Sequence, residues 1–469
     1  MLLSVTMLHN IRREGKRPHG MLISCAIFFL LSVPASSSPA NPQAPVDAAN
    51  PAQPVSISLQ EAIHRAEANE PSYAASFAES RALALDRSIA RAGLLPGVAY
   101  HNQALYTQGN GVKSQTVQGT GLEQPPIFIA NNAVREYSSQ AVVNETLGLA
   151  QLAGVRRADA LAARAAAELE IARRGLVATV TGLFYGSIAA DHKLEVAERA
   201  HNEAGDFTSL SAKREQAREA AHADLVKAQL VEQQRRRDLT DSKVAAERAH
   251  LELGVLLFPD PRTPFVLAAG DDKAQLPSRP EVDQAAGKNN PELKSALAAL
   301  SAGNADVLAA RAAYLPDLGL NVTYGIDAPQ FAVNGPDHVR NLGYSASVTV
   351  DIPVWDWFST QHRVKQSEIR REAARVALTA AQRRLIARLD EAYSEASAAL
   401  EQLASLDQSV ATAAESLRLT KLRYADGEAT VLEVVDAQNA FLGVEIARED
   451  GKVRYQTARA DLQTLTGTM

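Results

Sequence analysis

The sequence predicts a mainly helical chain that carries a membrane β-barrel, built from two copies of a helix, strand, strand, long helical hairpin unit. Duplication is the first observation behind this reading. Ser58 and Glu61 recur as Ser278 and Glu281, Pro71 as Pro291, Ala90-Arg91-Ala92 as Ala310-Arg311-Ala312, and Leu95-Pro96 as Leu315-Pro316, all at an offset of 220. A fixed offset over so many positions is the mark of a repeat-built fold. The second is a set of only four strand-like segments, each about ten residues long, the length that crosses a bilayer at a tilt. The third is a pair of very long, proline-free helical stretches that no single small domain could bury.

The N-terminus is set aside before the fold is read. Arg12, Arg13, Lys16 and Arg17 precede the apolar run Met21–Val33, which ends in small residues from Pro34 to Ala40. This reads as a secretory signal peptide over residues 1–40, cleaved after Ala35 or Ala40. The run is too short to span a membrane as a helix, which takes about 20 residues. Arg12-Arg13 lacks the apolar residue that a twin-arginine signal needs, and Cys25 precedes most of the apolar core, where a lipoprotein cysteine would follow it. Cys25 is the only cysteine, so the exported chain has no disulfide and depends on packing and assembly. Removing the basic leader from the net charge of −6 leaves −9, which argues against nucleic acid as a partner. Aromatics at 5% are few for an enzyme core and suit alanine-rich, charged helices.

Residues 41–55 are rich in Pro, Ala and Asn and read as an extended arm. The first repeat spans 56–267, with strands at about 97–107 and 137–147 and a helical hairpin at about 148–255. A linker at 268–277 leads to the second repeat, 278–469, with strands at about 317–326 and 342–354 and a hairpin at about 355–467. Each repeat opens on a capping box, Ser58 with Glu61 and Ser278 with Glu281, the second with Pro280 in the first helical turn. The helices that follow end ahead of Pro96 and Pro316, because proline disfavours helix in the residue before it.

The strands indicate the environment. Leu318, Leu320, Val322, Tyr324 and Ile326 alternate with Gly319, Asn321, Thr323 and Gly325. Leu342, Tyr344, Ala346, Val348, Val350, Ile352 and Val354 alternate with Gly343, Ser345, Ser347, Thr349, Asp351 and Pro353. In the first repeat Val98, Tyr100, Ala104 and Tyr106 oppose His101, Gln103 and Thr107. One apolar and one polar face fit a barrel wall with lipid outside and water inside. Four strands cannot close a barrel; about eight from two chains would fill their own interior, and about twelve from three leave a lumen.

After the strands, 147–216 and 355–424 contain no proline and would each run about 100 Å as helix. In the second, Leu389, Ala396, Leu403, Val410, Leu417 and Tyr424 recur every seven residues, interleaved with Tyr393, Leu400 and Ala414 and interrupted by Asp407 and Lys421. Such a seam demands partner helices. Near Arg218 and Gly427 the chain turns back, giving two antiparallel hairpins.

These residues resemble the TolC-like outer-membrane efflux proteins over nearly the whole exported chain. The resemblance is most specific in the duplicated Asn-x-Pro, Ala-Arg-Ala and Leu-Pro positions. It extends to Arg423-Tyr424, Gly427, Leu432 through Asp436, Ala437-Gln438 and the closing Leu465-Thr466-Gly467. It implies a homotrimeric, passive conduit: a twelve-stranded barrel in the outer-membrane lipid and an α-helical coiled-coil tunnel across the periplasm. A periplasmic adaptor would engage its closed tip and link it to an inner-membrane RND or ABC transporter. Small-molecule export, multidrug or metal, is the expected function, with type I protein secretion or a non-transport periplasmic scaffold as alternatives. The first repeat departs from the family at its tip, where Arg218 replaces the usual glycine, and at Thr146, which replaces the strand-end proline seen as Pro353.

The resemblance assigns site residues as well. Glu433 and Asp436, three apart on one helix face, map onto carboxylate rings at the periplasmic entrance. Asp224 and Tyr424 are expected to form a hydrogen-bonded tip latch, with Ala429 where the family carries a basic partner; Gly427 makes the tip turn. Trp355, Trp357 and Phe358 close the fourth strand, where an aromatic girdle would sit at the lipid boundary. No P-loop, Rossmann fingerprint or nucleophile elbow occurs, so no catalytic residue, cofactor or enzyme activity is expected. His192, His201, His222 and His250 lack close i,i+4 pairing and read as solvated surface side chains, not metal ligands.

Overall fold

The computed structural model describes residues 55–107, 135–268, 276–335, 338 and 340–467. The expected signal peptide and Cys25, all of the arm except Val55, and most of the linker lie outside the described residues. The chain begins with β1 (Val55–Ile57), α1 (Leu59–Asn69) and α2 (Pro71–Ala92), then β2 (Gly97–Tyr106) and β3 (Arg135–Leu147). A hairpin follows, α3 (Leu149–Gln216) and α4 (His222–Leu257), and then β4 (Phe265–Leu267). The second copy comprises α5 (Arg279–Asn289), α6 (Pro291–Ala312), β5 (Asp317–Ala328), β6 (Leu342–Asp351), α7 (Ser359–Ala425) and α8 (Val431–Thr466). Helix dominates, and α2 and α6 begin and end at positions exactly one repeat apart.

Six strands are present among the described residues, not four. β1 and β4 pair in parallel, Val55 with Phe265 and Ile57 with Leu267, so Val55 belongs to a strand and not to the expected arm. Three-residue strands are too short to show a period of two, and only their pairing defines them. The other four form an antiparallel sheet in the order β2-β3-β5-β6, leaving β2 and β6 as open edges. Register keeps the faces together: Leu320 lies opposite Val348, Val322 between Val143 and Ala346, and Tyr324 opposite Tyr344. The apolar face is exposed, with Tyr344 83% and Val348 65% accessible. On the polar face Asn321 bonds Asn144 across the β5-β3 pair. β6 ends at Asp351, short of the expected Val354, where Pro353 removes a ladder donor.

Expected caps form with one change. Ser58 accepts from the Glu61 amide at 3.3 Å, but the Glu61 carboxylate is taken by Arg65 at 2.6 Å and does not reach back. At the second copy Glu281 does reach the Ser278 amide, at 3.1 Å. These short helices pack on the long ones: Ala62 and Ala66 of α1 on Val180 and Phe184, and Val282 and Ala286 of α5 on Leu389 and Ala396. The heptad seam of α7 faces α8, where Gly451 brings the backbone against Leu403 and Leu406; a β-carbon there would sit 2.8 Å from Leu406 Cδ1. No helix among the described residues is long and apolar enough to cross a membrane.

Candidate functional site

The two hairpins end in the same turn. After α3, the Arg218 amide donates to Glu215 O at 2.9 Å and the Glu219 amide to Arg214 O at 2.8 Å. After α7, the Gly427 amide donates to Tyr424 O at 3.1 Å and the Glu428 amide to Arg423 O at 2.8 Å. Both are Schellman closures, which place their central residue in the left-handed region. Gly427 has φ +81°; Arg218 adopts φ +61° without being glycine. The tips are therefore alike in backbone and unlike in strain.

They differ again where the return helices start. Thr430 and Glu433 form a complete capping box at the head of α8, whereas Ala221 at the head of α4 offers no side-chain cap. Glu433, expected at the entrance, thus also holds the helix start, and it lies 3.5 Å from Arg423. Asp436 is exposed. The Thr-x-x-Glu spacing is a box signature that the sequence carries as plainly as Ser278 with Glu281.

Within one chain the expected latch is not made. The Tyr424 hydroxyl is buried without a hydrogen-bond partner, so no bond to Asp224 exists. It borders a cavity of about 250 Å³ that Glu203, Phe207 and Gln438 also line. What engages Tyr424 is Arg214: its Nη1 donates to Tyr424 O at 2.7 Å, and its guanidinium lies 4.8 Å from the ring centroid. Phe207 packs on the other side, 5.2 Å between centroids, and Lys421 pairs with Glu203 at 2.7 Å. Ala429 is buried among Val431, Val434 and Val435. The basic partner of Tyr424 therefore comes from α3, some 210 positions away, a distance over which sequence leaves no local signal.

Above the tip, the seam between α3 and α8 is charged and partly buried. His192 bonds Glu449 at 3.0 Å, Lys193 bonds Asp450, and Arg199 reaches Glu445 at 3.1 Å. Burial alone would raise the Glu449 pKa, but His192, Lys452 and Arg448 outweigh it and hold the carboxyl below its ordinary range. His250 bonds Asp191 at 2.9 Å and stacks on Phe265, so it is not the free surface side chain expected. That hydrogen bond raises its pKa against the opposing effect of burial. His222 bonds Glu215, and His201 Nδ1 is buried without a partner.

At the other end of α7, Trp355, Trp357 and Phe358 form an exposed cluster, with Trp355 5.8 Å from Trp357 and 5.3 Å from Phe358 between centroids. Trp357 and Phe358 both have positive φ, and the Thr360 amide donates to Asp356 Oδ2 at 2.7 Å. That turn swings the chain from strand into helix and splays the rings outward.

Residues 282–468 match the family model described as outer membrane efflux protein. That match, two fifths of the chain, makes the second repeat similar to the outer membrane efflux proteins. Protein CyaE of Bordetella pertussis is 28% identical over 323 residues, 68% of this chain; the chain spans just under two thirds of that relative, 65%. The alkaline protease secretion protein AprF of Pseudomonas aeruginosa is 22% identical over 442 residues, covering 88% of this chain and 85% of AprF. In fold, the CmeC outer membrane channel of Campylobacter jejuni superposes with a TM-score of 0.71 at 15% identity, over 87% of this chain and 85% of that one. The chain is thus similar to outer-membrane efflux and secretion proteins, in its second repeat by family model and over most of its length by fold.

Proposed function

We propose that three copies of this chain form a passive conduit through the outer membrane and across the periplasm, exporting small molecules delivered by an inner-membrane RND or ABC transporter through a periplasmic adaptor. Open edges carry this reading. β2 and β6 end the sheet unpaired. On the helices, α2 leaves Phe77, Leu85 and Ile89 exposed and α7 leaves Ile369, Val376 and Ile386 exposed. A chain with two unpaired strand edges and two apolar helix edges is completed by copies of itself. The exposed apolar sheet face then meets lipid, and Trp355, Trp357 and Phe358 anchor its periplasmic rim. Residues 1–40 serve as the export signal, while 56–267 and 278–469 act as the two halves of one wall.

Glu433 and Asp436 ring the entrance, and Arg214 with Tyr424 and Lys421 with Glu203 hold the coils together near it. Reconstitution tests the proposal: purified protein should run as a trimer by native mass and give long-lived conductance in planar bilayers, and its deletion should raise accumulation of an efflux dye. A folded monomer without conductance would sink it. The likeness to AprF across most of both chains favours a second reading, export of a protein cargo. Dye accumulation unchanged by deletion, with a secreted protein lost from the medium, would select it.

A further inference from the structure

The upper part of α7 is strongly basic. Residues 359–389 carry eight arginines and lysines against two glutamates, in a chain that is acidic overall. Some of these cations are neutralised: Arg388 pairs with Glu292 and Arg375 with Glu372, while Arg311 takes Glu368. Arg363, Arg370 and Arg384 are exposed and make no ion pair with a described residue. Asp356 feels the charge of Arg363 without touching it. The three arginines are spaced by seven and fourteen residues, so they share one stripe of a long helix, drifting about 20° per heptad at most.

That stripe lies on the side of α7 away from the outer layer. Tyr393 and Leu389 face α5, and Arg384 precedes Tyr393 by nine residues, two and a half turns at about 3.6 residues each, hence on the opposite side. The first copy gives an independent check. Val180 and Phe184 of α3 pack on α1 as Leu389 and Tyr393 pack on α5, an offset of 209 that also relates Arg218 to Gly427. At the same offset Gly154 corresponds to Arg363 and Gly175 to Arg384, and a β-carbon at either glycine would meet nothing within 4 Å. The face is open on both long helices. In a closed ring of helices a second layer such as α1 and α5 has room only outside, since on the inside it would fill the bore. The arginine stripe therefore lines the lumen.

On the conduit reading above, we infer that the upper tunnel is an anion-attracting segment whose ligands are polyanionic cargo molecules bearing several carboxylates or phosphates. Three copies would stack the stripe into rings of arginine from about 7 to about 40 Å below the strand-to-helix junction, at ~1.5 Å per residue. Like charges around a narrow, low-dielectric wall concentrate the opposite ion. Arginine, with its planar fork of donors, suits carboxylate and phosphate.

The test uses the full-length trimer in planar bilayers with inorganic tripolyphosphate as the probe. Tripolyphosphate should block the unaltered channel, and more weakly as salt rises. The combined variant Arg363→Gln, Arg370→Gln, Arg384→Gln should weaken that block by roughly tenfold or more and shift the reversal potential toward cations. The matching lysine variant should keep both. Lys365→Gln, on the outer side of the same helix, should change neither. Block unaltered in the glutamine variant overturns the inference while the channel stands. So does loss of the trimer in that variant with block unaltered in its surviving channels, which would make the arginines partners for Glu79 and Asp86 of a neighbouring copy. Absence of any conductance in the unaltered protein overturns the channel reading and this inference with it.

Discussion

Arg218 and Gly427 do the same geometric work with different side chains. A β-carbon in the left-handed region costs about 1–2 kcal/mol, so the first tip is held in a conformation its residue resists. Arg218→Gly should therefore stabilise the protein by up to about 1 kcal/mol after the extra chain entropy of glycine is counted, and Gly427→Ala should destabilise it by a similar amount. Thermal unfolding of the purified protein checks both; a less stable Arg218→Gly would show that the arginine side chain anchors something. The departure from glycine at 218 was readable in the sequence, and its consequence is a strained but intact turn. Tyr424 shows the opposite limit. The sequence supplied a phenol and a carboxylate, Asp224, but not their separation, and the phenol found a guanidinium ring-face contact instead. Since the hydroxyl is buried and unpartnered, Tyr424→Phe should leave antibiotic leakage unchanged. Arg214→Ala, which removes a carbonyl hydrogen bond and a cation–π contact, should loosen the tip by about 1–2 kcal/mol and raise leakage.

Helices and long strands were legible because their periods repeat over many residues; pairings between elements were not. The four long strands show alternation along ten or more positions, and the seam of α7 shows heptads, so each exists before any partner is known. β1 and β4 have no such length. The α3–α8 seam is likewise invisible locally, because Glu445 and Glu449 look like any solvated acids on a charged helix until α3 buries them. The pairings that α3 makes, with Glu449 of α8 and with His250 of α4, give a pH dependence with two limbs. Glu449 has a depressed folded pKa, so its contribution is present above the ordinary carboxylate value, about 4.3, and is lost as pH falls through the lower folded value. His250 has a raised folded pKa. Its contribution is complete below the ordinary imidazole value, about 6.5, and is lost as pH rises through the higher folded value. In melting temperatures measured across pH, Glu449→Gln should flatten the acid limb and His250→Gln the alkaline limb. Parallel curves for variant and parent would show that neither pairing titrates with folding.

At the scale of the whole molecule, the proposed trimer would make one chain, with its open edges on the sheet and on α2 and α7, a third of a closed wall, and symmetry would then multiply every side chain near the axis. This gives the entrance carboxylates their weight. A single Glu433 or Asp436 is an exposed acid on a helix start, but three copies of each in a narrow mouth would attract cations and let a multivalent cation bridge subunits. The structure refines how this should be tested. Glu433 completes the capping box with Thr430, so truncation to alanine would remove a cap worth about 1 kcal/mol along with the charge and confuse the two effects. Glutamine can fill the same box position. Glu433→Gln combined with Asp436→Asn therefore removes the charge and keeps the helix start. In planar bilayers this double variant should lose preference for cations and escape block by a trivalent cation added from the periplasmic side, with the trimer unchanged by native mass. If selectivity and block both persist, the narrowest part of the path lies elsewhere, and the carboxylates at the head of α8 serve the helix and not the pore.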